Sequence, residues 1–260
     1  MAALYPDTGL RQPYFIGGKW FMKKAIIDMH THTVFGGHAY STVKENIDAA
    51  NEAGLKYLGI SEHGVKMPGG PHEYFFHNLK VLPRKVGNVK ILRGIEANIL
   101  DFNGRIDISD YDLKKLDYAI ASLHNPCIVP GNKEENTRAL LNVMDNPFVK
   151  IIGHPDDDRY PIDYEAVVKK AAEKNVLLEV NNTSLNPTSS RKGADKNYAE
   201  MFEYCKKYNA RVIFGSDSHI CYSIGGFENC EKLIKETGFP EELVINYWED
   251  QIVEFFGIDF

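Results

Sequence analysis

Ala25-Ile26-Ile27-Asp28-Met29-His30-Thr31-His32 is the stretch on which the fold turns. A short apolar, β-branched run leads straight into two histidines, so it reads as a strand over 25–29 with polar groups at its end. Side chains alternate along a strand, which puts Asp28, His30 and His32 on one face and offers two imidazoles to one ion. Runs of the same kind recur at 57–61, 90–96, 118–123, 150–153, 176–181 and 211–215. Stretches with apolar residues at helical spacing lie between them, among them 42–53, 164–174, 197–208 and 227–236. Ser41 is the expected N-cap of the first and Gly54 its C-cap. Alternating strands and helices imply a parallel sheet. Seven units over this length predict an α/β fold closed or nearly closed into a barrel, with an open doubly wound sheet as the alternative.

The residue at or just past each strand end carries the functional signal. In chain order these are His30, His63, Glu96, His124, His154, Asn181 and Asp217, spaced 27 to 36 residues apart, about one strand-helix unit each time. In a parallel barrel the C-terminal strand ends converge on one face, and that face carries the active site. No internal repeat accounts for the spacing. His38 follows the first strand in Gly36-Gly37-His38, and the last strand ends Gly215-Ser216-Asp217-Ser218-His219.

Seven of the nine histidines (30, 32, 38, 63, 124, 154 and 219) therefore gather with Glu96 and Asp217. A single histidine at such a place is more often structural. Seven together would repel one another if protonated and would be costly if left unpaired. Divalent cations resolve both problems, because they bind neutral imidazole and carboxylate. Nine ligands exceed the roughly four of one tetrahedral zinc and suit two or three ions with positions open to water and substrate. Without cysteine ligands, the set favours catalytic Zn, Mn or Fe over a structural thiolate site.

His30-x-His32, Ser61-Glu62-His63-Gly64, Gly94-Ile95-Glu96-Ala97-Asn98, Ser122-x-His124, Gly153-His154-Pro155 and Gly215-Ser216-Asp217-Ser218-His219 together resemble the motifs of the PHP (polymerase and histidinol phosphatase) phosphoesterases. Within that family the chain is most similar to the YcdX-like phosphatases, from about residue 25 to 255. The resemblance implies a single distorted (β/α)7 barrel with its active site at the C-terminal strand ends. It also implies three divalent ions, zinc first and Mn or Fe as alternatives. One ion would be held by His30, His32, Glu96 and Asp217. A second would be held by Glu96, His124 and His154, and a third by His38, His63 and His219. Glu96 and Asp217 would be the catalytic carboxylates, with Glu96 bridging. The family usually has Asp-His where this chain has Glu62-His63, which alters the groups that orient the ligands.

The reaction so implied is hydrolysis of a small phosphate ester, most readily a phosphomonoester, by a metal-bound hydroxide. Basic side chains near the rim would meet the remaining phosphate charge, and the candidates are Arg191, Lys192 and Arg159. Asn181 and His72 are further candidates for substrate contact. His72 and His77 lie in a Pro-, Gly- and aromatic-rich segment after the second strand that reads as a lid or rim loop, with His77 packing at a helix start. An amidohydrolase-type barrel also begins with His-x-His, but it commonly bridges its metals with a modified lysine at the end of strand four. Here that position reads Ser122-Leu123-His124. A non-catalytic metal-binding module is the alternative from another class.

Composition narrows the partners. The chain has 260 residues, 43% of them hydrophobic and 25% charged, which is ordinary for a folded domain. Net charge is −6 with histidine neutral, and no basic stripe is present, which argues against nucleic acid, including a polymerase-associated proofreading role. No apolar run approaches the ~18 residues of a membrane span. The four cysteines form no C-x-x-C pair, and 1–24 lacks a signal-peptide pattern, so a cytoplasmic protein with reduced thiols is expected. Homo-oligomerisation stays open. Residues 1–21, rich in Gly, Pro and aromatics, read as an extension outside the core or a non-native segment, with the barrel over 22–260.

Overall fold

The computed structural model describes residues 23–258 and the backbone of a short antiparallel pairing of Phe15–Ile16 with Lys19–Trp20. Apart from that pairing, the expected extension over 1–21 lies outside the described residues. Seven parallel strands follow one another around the molecule: β1 (Ile27–Asp28), β2 (Tyr57–Ile60), β3 (Val89–Asn98), β4 (Tyr118–Ser122), β5 (Val149–Ile152), β6 (Leu177–Asn181) and β7 (Val212–Gly215). Each pairs with its sequence neighbour, so spatial order equals chain order. This is the nearly closed, distorted (β/α)7 barrel, not the open sheet.

The seam between β1 and β7 is closed by means other than a strand ladder. Past the strand ends, Thr31 and Ser218 form a parallel bridge, and the His32 N–H donates to Ser218 O at 2.8 Å. Near the other end, the Asn246 side chain stands in for a missing strand residue. Its Nδ2 donates to Ile27 O at 3.0 Å and Phe214 O at 3.1 Å, and its Oδ1 accepts from the Phe214 N–H at 2.7 Å. Buried backbone groups that would otherwise be unpaired are thereby satisfied.

Two hydrophobic cores follow from the alternation of side chains. Ile27, Tyr57, Leu92, Tyr118, Ile151, Leu177 and Ile213, one from each strand, fill the barrel interior. Ile252 and Phe255 of the last helix (Glu249–Phe256) close its floor. The larger core lies outside, between the strands and the helices α1 (Val43–Glu52), α2 (Tyr74–Asn78), α3 (Asp110–Leu113), α4 (Lys133–Val143), α5 (Tyr164–Lys174), α6 (Ala194–Tyr208) and α7 (Glu228–Thr237).

Helix α1 starts one residue later than its expected cap. Thr42, not Ser41, is the N-cap, because Glu45 stands at the position that completes a capping box. The Ser41 hydroxyl instead accepts from the Cys221 N–H at 2.8 Å. α4 escapes apolar periodicity because its first turn is Lys-Glu-Glu; Asn132 and Glu135 set its start with a second capping box. The segment after β2 carries α2, where His77 pairs with Asp112. No described helix is long and apolar enough to cross a membrane.

Candidate metal centre

The nine expected ligands meet at the C-terminal mouth of the barrel. β1 is shorter than its sequence suggests, and its alternation does not carry through to the histidines. Ile27 and Met29 face the interior core, while the Asp28 carboxylate accepts from the backbone N–H groups of Ser216 and Gly225 at 3.2 and 3.0 Å. Asp28 thus ties the seam, and His30 and His32 reach the mouth from the bend that follows. His154 and Asp217, just past β5 and β7, have left-handed backbone φ values of 28° and 52°. Such residues cost about 1–3 kcal/mol each and gather where function requires them.

Glu96 is at the centre and fully buried. Its Oε1 lies 2.9 Å from His154 Nε2, 3.1 Å from His124 Nε2 and 3.3 Å from His30 Nε2. Its Oε2 lies 2.6 Å from His63 Nδ1 and 3.6 Å from His32 Nε2. Asp217 Oδ1 lies 3.2 Å from His32 Nε2 and 3.6 Å from His30 Nε2. The outer side is closed by His38 and His219, whose Nε2 atoms are 3.0 Å apart. Three sets of ligand atoms lie within 4.8 Å of one another: His30, His32 and Asp217; His63, Glu96 and His124; and His32, His63 and His219.

In five of the seven rings the outer nitrogen explains why the inner ones converge. Nδ1 of His30 is held by Glu179 Oε1 at 2.6 Å, that of His32 by Glu62 Oε1 at 3.3 Å, and that of His124 by Asn98 Oδ1 at 2.6 Å. Nδ1 of His38 faces Gly36 O at 3.1 Å, and that of His219 faces Asp217 O at 2.9 Å. A carbonyl or carboxylate oxygen accepts, so Nδ1 carries a proton, and with a cation in place of any proton on Nε2 that lone pair points inward. With both Nδ1 atoms protonated, the His38 and His219 Nε2 lone pairs face each other at 3.0 Å, an arrangement that a cation between them would relieve. Among the described residues, the His30 Nε2, both His63 ring nitrogens and Glu96 Oε2 are buried without a hydrogen-bond partner. Convergent lone pairs and orphaned acceptors call for cations, and this donor set fits divalent metal.

The electrostatics agree. Burial alone would raise the Glu96 and Asp217 carboxyls, yet both are held well below their usual range, Glu96 by His124, His30 and His63, and Asp217 by His30 and Arg191. Burial, reinforced by His32, pushes the His63 imidazole down to about 3. At His32 burial is outweighed by the Asp217 and Glu62 carboxylates, to which the ring nitrogens donate. Together they lift it to about 9, so the anionic pocket calls for positive charge that a bound cation would supply in place of the second proton.

Glu179, Glu62, Asn98 and Asp107 complete the scaffold. Glu179 is fully buried beneath the site, where its Oε2 also accepts from the His154 N–H at 2.7 Å. A Cβ at Gly215 would lie 1.9 Å from its carboxylate, so a larger residue there would push Glu179 out of this position. Its signal in the sequence is one acid inside the apolar run Leu177-Leu178-Glu179-Val180. Glu62, the departure from the family's Asp, has its extra length accommodated by Gly36, where a Cβ would lie 2.1 Å from Glu62 Oε1. Its other oxygen accepts from the Thr33 N–H and hydroxyl at 2.8 and 2.6 Å. Asp107 fixes the Asn98 amide by accepting from its Nδ2 at 2.6 Å.

A cleft of about 480 Å³ opens above the ligands, with His38, His63, His124, Asp217 and His219 in its floor. Arg191 and Arg159 line it. Arg191 is mostly buried, and it donates to Asp217 Oδ2 at 2.9 Å and Ser184 Oγ at 3.2 Å. Arg159 pairs with Asp157 at 2.5 Å. Asn181 is buried below, donating to Asp217 Oδ2 and Glu179 Oε2 at 3.2 Å each. Lys192 and His72 are exposed and do not line the cleft; Lys192 donates to Ser189 O, and the His72 ring lies against Tyr74.

A metal-ligand cluster at the mouth of a (β/α)7 barrel defines the class: a metal-dependent hydrolase. The chain belongs to the PHP domain family, whose pattern matches residues 28–237. A protein of Clostridium botulinum named probable phosphatase is 52% identical over 230 residues, 88% of this chain and 93% of its own length. One of Caldanaerobacter subterraneus with the same description is 46% identical over 89% of this chain and 91% of its own. Phosphatase is therefore the enzyme class in which this barrel and its ligands stand. Among solved structures, histidinol phosphate phosphatase of Lactococcus lactis, complexed with zinc, L-histidinol and phosphate, shares the fold at a TM-score of 0.56 and 19% identity, covering 83% of this chain and 95% of its own. A probable 2-pyrone-4,6-dicarboxylic acid hydrolase of Acinetobacter baumannii shares it at a TM-score of 0.51 and 14% identity, covering 90% of this chain and all of its own.

Proposed function

We propose that this protein hydrolyses a small phosphomonoester at a centre of three divalent cations, zinc first and Mn or Fe as alternatives. The observation that carries the reading is the inward turn of the Nε2 lone pairs, five of them fixed by an oxygen on Nδ1. His30, His32, Glu96 and Asp217 would hold one ion, Glu96, His124 and His154 a second, and His38, His63 and His219 a third. Glu96 suits the bridging role because its oxygens face imidazoles on both sides. His63 lies beside the last two groups, with Nδ1 on Glu96 and its ring stacked on His38 at 4.9 Å.

Bound divalent cations supply an activated water at neutral pH and stabilise charge on phosphoryl oxygens. The chain's own groups do the rest. Glu179, Glu62 and Asn98 hold ring protons on Nδ1, which keeps the inward nitrogens free to bind. Asn181 and Arg191 share Asp217 Oδ2 and leave Oδ1 toward His30 and His32. Arg191 also borders the cleft, but its Nη2 is held by Asp217, so it acts on an arriving phosphate chiefly by fixing that carboxylate. Arg159 forms part of the opposite charge pair on the wall.

Elemental analysis of gently purified protein, alongside turnover of para-nitrophenyl phosphate, tests the reading. Up to three ions per chain and metal-dependent turnover are expected, with turnover lost in Glu96→Ala while the circular dichroism spectrum is retained. Less than one ion per chain, with no activity on adding Zn, Mn or Fe, overturns it. So does a Glu96→Ala protein as active as the wild type.

A further inference from the structure

The cleft wall points to the alcohol half of the substrate. This inference rests on the phosphatase reading and goes on to the group esterified to phosphate. Every charged side chain of the wall is already paired inside the protein: Arg159 with Asp157, and Arg191 with Asp217. A second phosphate or carboxylate on the substrate would find no uncommitted cation among the described lining residues. An amine on it would find no uncommitted carboxylate, because Arg159 holds Asp157 Oδ2 through both Nε and Nη2.

Stacking is also missing from the wall. Apart from the floor imidazoles, no aromatic ring lines the cleft among the described residues. The exposed rings Phe35, Tyr40, Tyr74, Tyr111 and Tyr222 lie outside the lining. A nucleobase or a free imidazole therefore has no platform of the kind that makes such groups bind.

What the wall does offer is neutral hydrogen bonding. Asn125 and Ser190 are exposed to the cleft and make no side-chain hydrogen bond among the described residues. Asn186 uses only its Oδ1, on the Thr188 N–H and hydroxyl, which leaves its Nδ2 to donate. The Thr188 hydroxyl, having donated to Asn186, still has lone pairs to accept. Amides and hydroxyls in one rim match the alternating donors and acceptors of vicinal hydroxyls. The volume of about 480 Å³ falls within the range of small-molecule sites.

We infer that the substrate is the phosphomonoester of an uncharged, polyhydroxylated alcohol, a sugar or polyol phosphate, recognised through Asn125, Asn186, Thr188 and Ser190. The test is steady-state kinetics of the metal-loaded enzyme on hexose, pentose and glycerol phosphates, a nucleoside monophosphate, histidinol phosphate, a sugar bisphosphate and para-nitrophenyl phosphate. At least one sugar or polyol monophosphate is expected to exceed the nucleotide, histidinol phosphate and bisphosphate tenfold or more in kcat/KM. Asn186→Ala and Ser190→Ala, each checked for an unchanged melting profile, are expected to lower the ratio of that kcat/KM to the para-nitrophenyl value at least fivefold, mainly through KM. Preference for the nucleotide, histidinol phosphate or the bisphosphate overturns the inference, as does equal turnover of all or an unchanged ratio in both variants. Failure to hydrolyse any of the panel, para-nitrophenyl phosphate included, overturns the phosphatase reading itself.

Discussion

Glu179 shows how much of this centre depends on residues outside the expected ligand set. It holds His30 Nδ1 at 2.6 Å and the His154 N–H at 2.7 Å, so one carboxylate sets two ligands. Removing an oxygen acceptor behind a ligating histidine typically weakens metal binding about 10–100-fold. Glu179→Gln keeps one accepting oxygen and cannot serve both His30 Nδ1 and the His154 N–H, so it is expected to fall in that range while retaining the fold, as read by competition with a chelating dye. Unchanged affinity would show that His30 is held by packing alone. The same logic makes Glu62 a positioning residue for His32. Here a shorter Asp is expected to lose the contact at 3.3 Å while Gln keeps it in part, so Glu62→Asp should weaken metal binding more than Glu62→Gln.

At the scale of elements, the barrel is closed by a side chain. Asn246 satisfies two carbonyls and one N–H between β1 and β7, all of them buried. Each buried polar group left unpaired costs about 1–3 kcal/mol. Asn246→Ala is expected to destabilise the fold by about 3 kcal/mol or more, and Asn246→Leu no less. Urea unfolding with a shifted midpoint and an unchanged slope would show this. A loss below about 1 kcal/mol would mean that water takes the place of the amide. The capping boxes at α1 and α4 belong to the same scale, since Thr42 with Glu45 and Asn132 with Glu135 fix where two helices start.

For the whole molecule, metal and fold are coupled. Seven imidazoles and two carboxylates cluster at one mouth, and cations that bind only the folded state stabilise it by mass action. A single site at a hundredfold excess over its Kd contributes about 2.7 kcal/mol. Stripping metal with a chelator is expected to lower Tm by about 5–10 °C per independent site at that saturation, given about 2–4 °C per kcal/mol for a chain of this size. Re-addition of Zn, Mn or Fe should restore it, and a Tm insensitive to chelator would count against bound metal. Because the ligands must be neutral imidazoles, protons compete for them, so occupancy and turnover should fall as pH drops below about 6. If the barrel spans 22–260, a chain starting at Met22 is expected to keep its Tm and metal content, and a fall in either would place part of 1–21 in the fold.

The sequence by itself determined the number of strand-helix units and the residues at their ends. Both are local signals: apolar β-branched runs, helical periodicity, and a His, Glu or Asp where each run stops. That was enough to bring His30, His63, Glu96, His124, His154 and Asp217 to one face, since a parallel barrel leaves them nowhere else to go. Tertiary structure decided what spacing does not encode. Asp28 turns away to the seam because the strand ends there, although alternation assigns it to the site. Asp107 reaches Asn98, and Asn246 reaches Ile27 and Phe214, through contacts between segments with no shared pattern. Arg191 is joined to Asp217 and Arg159 to Asp157, so two cations expected to await a substrate are already paired. The physical reason is the same in each case. A buried polar group must find a partner, and which partner lies within 3 Å is a property of the folded chain, not of its order.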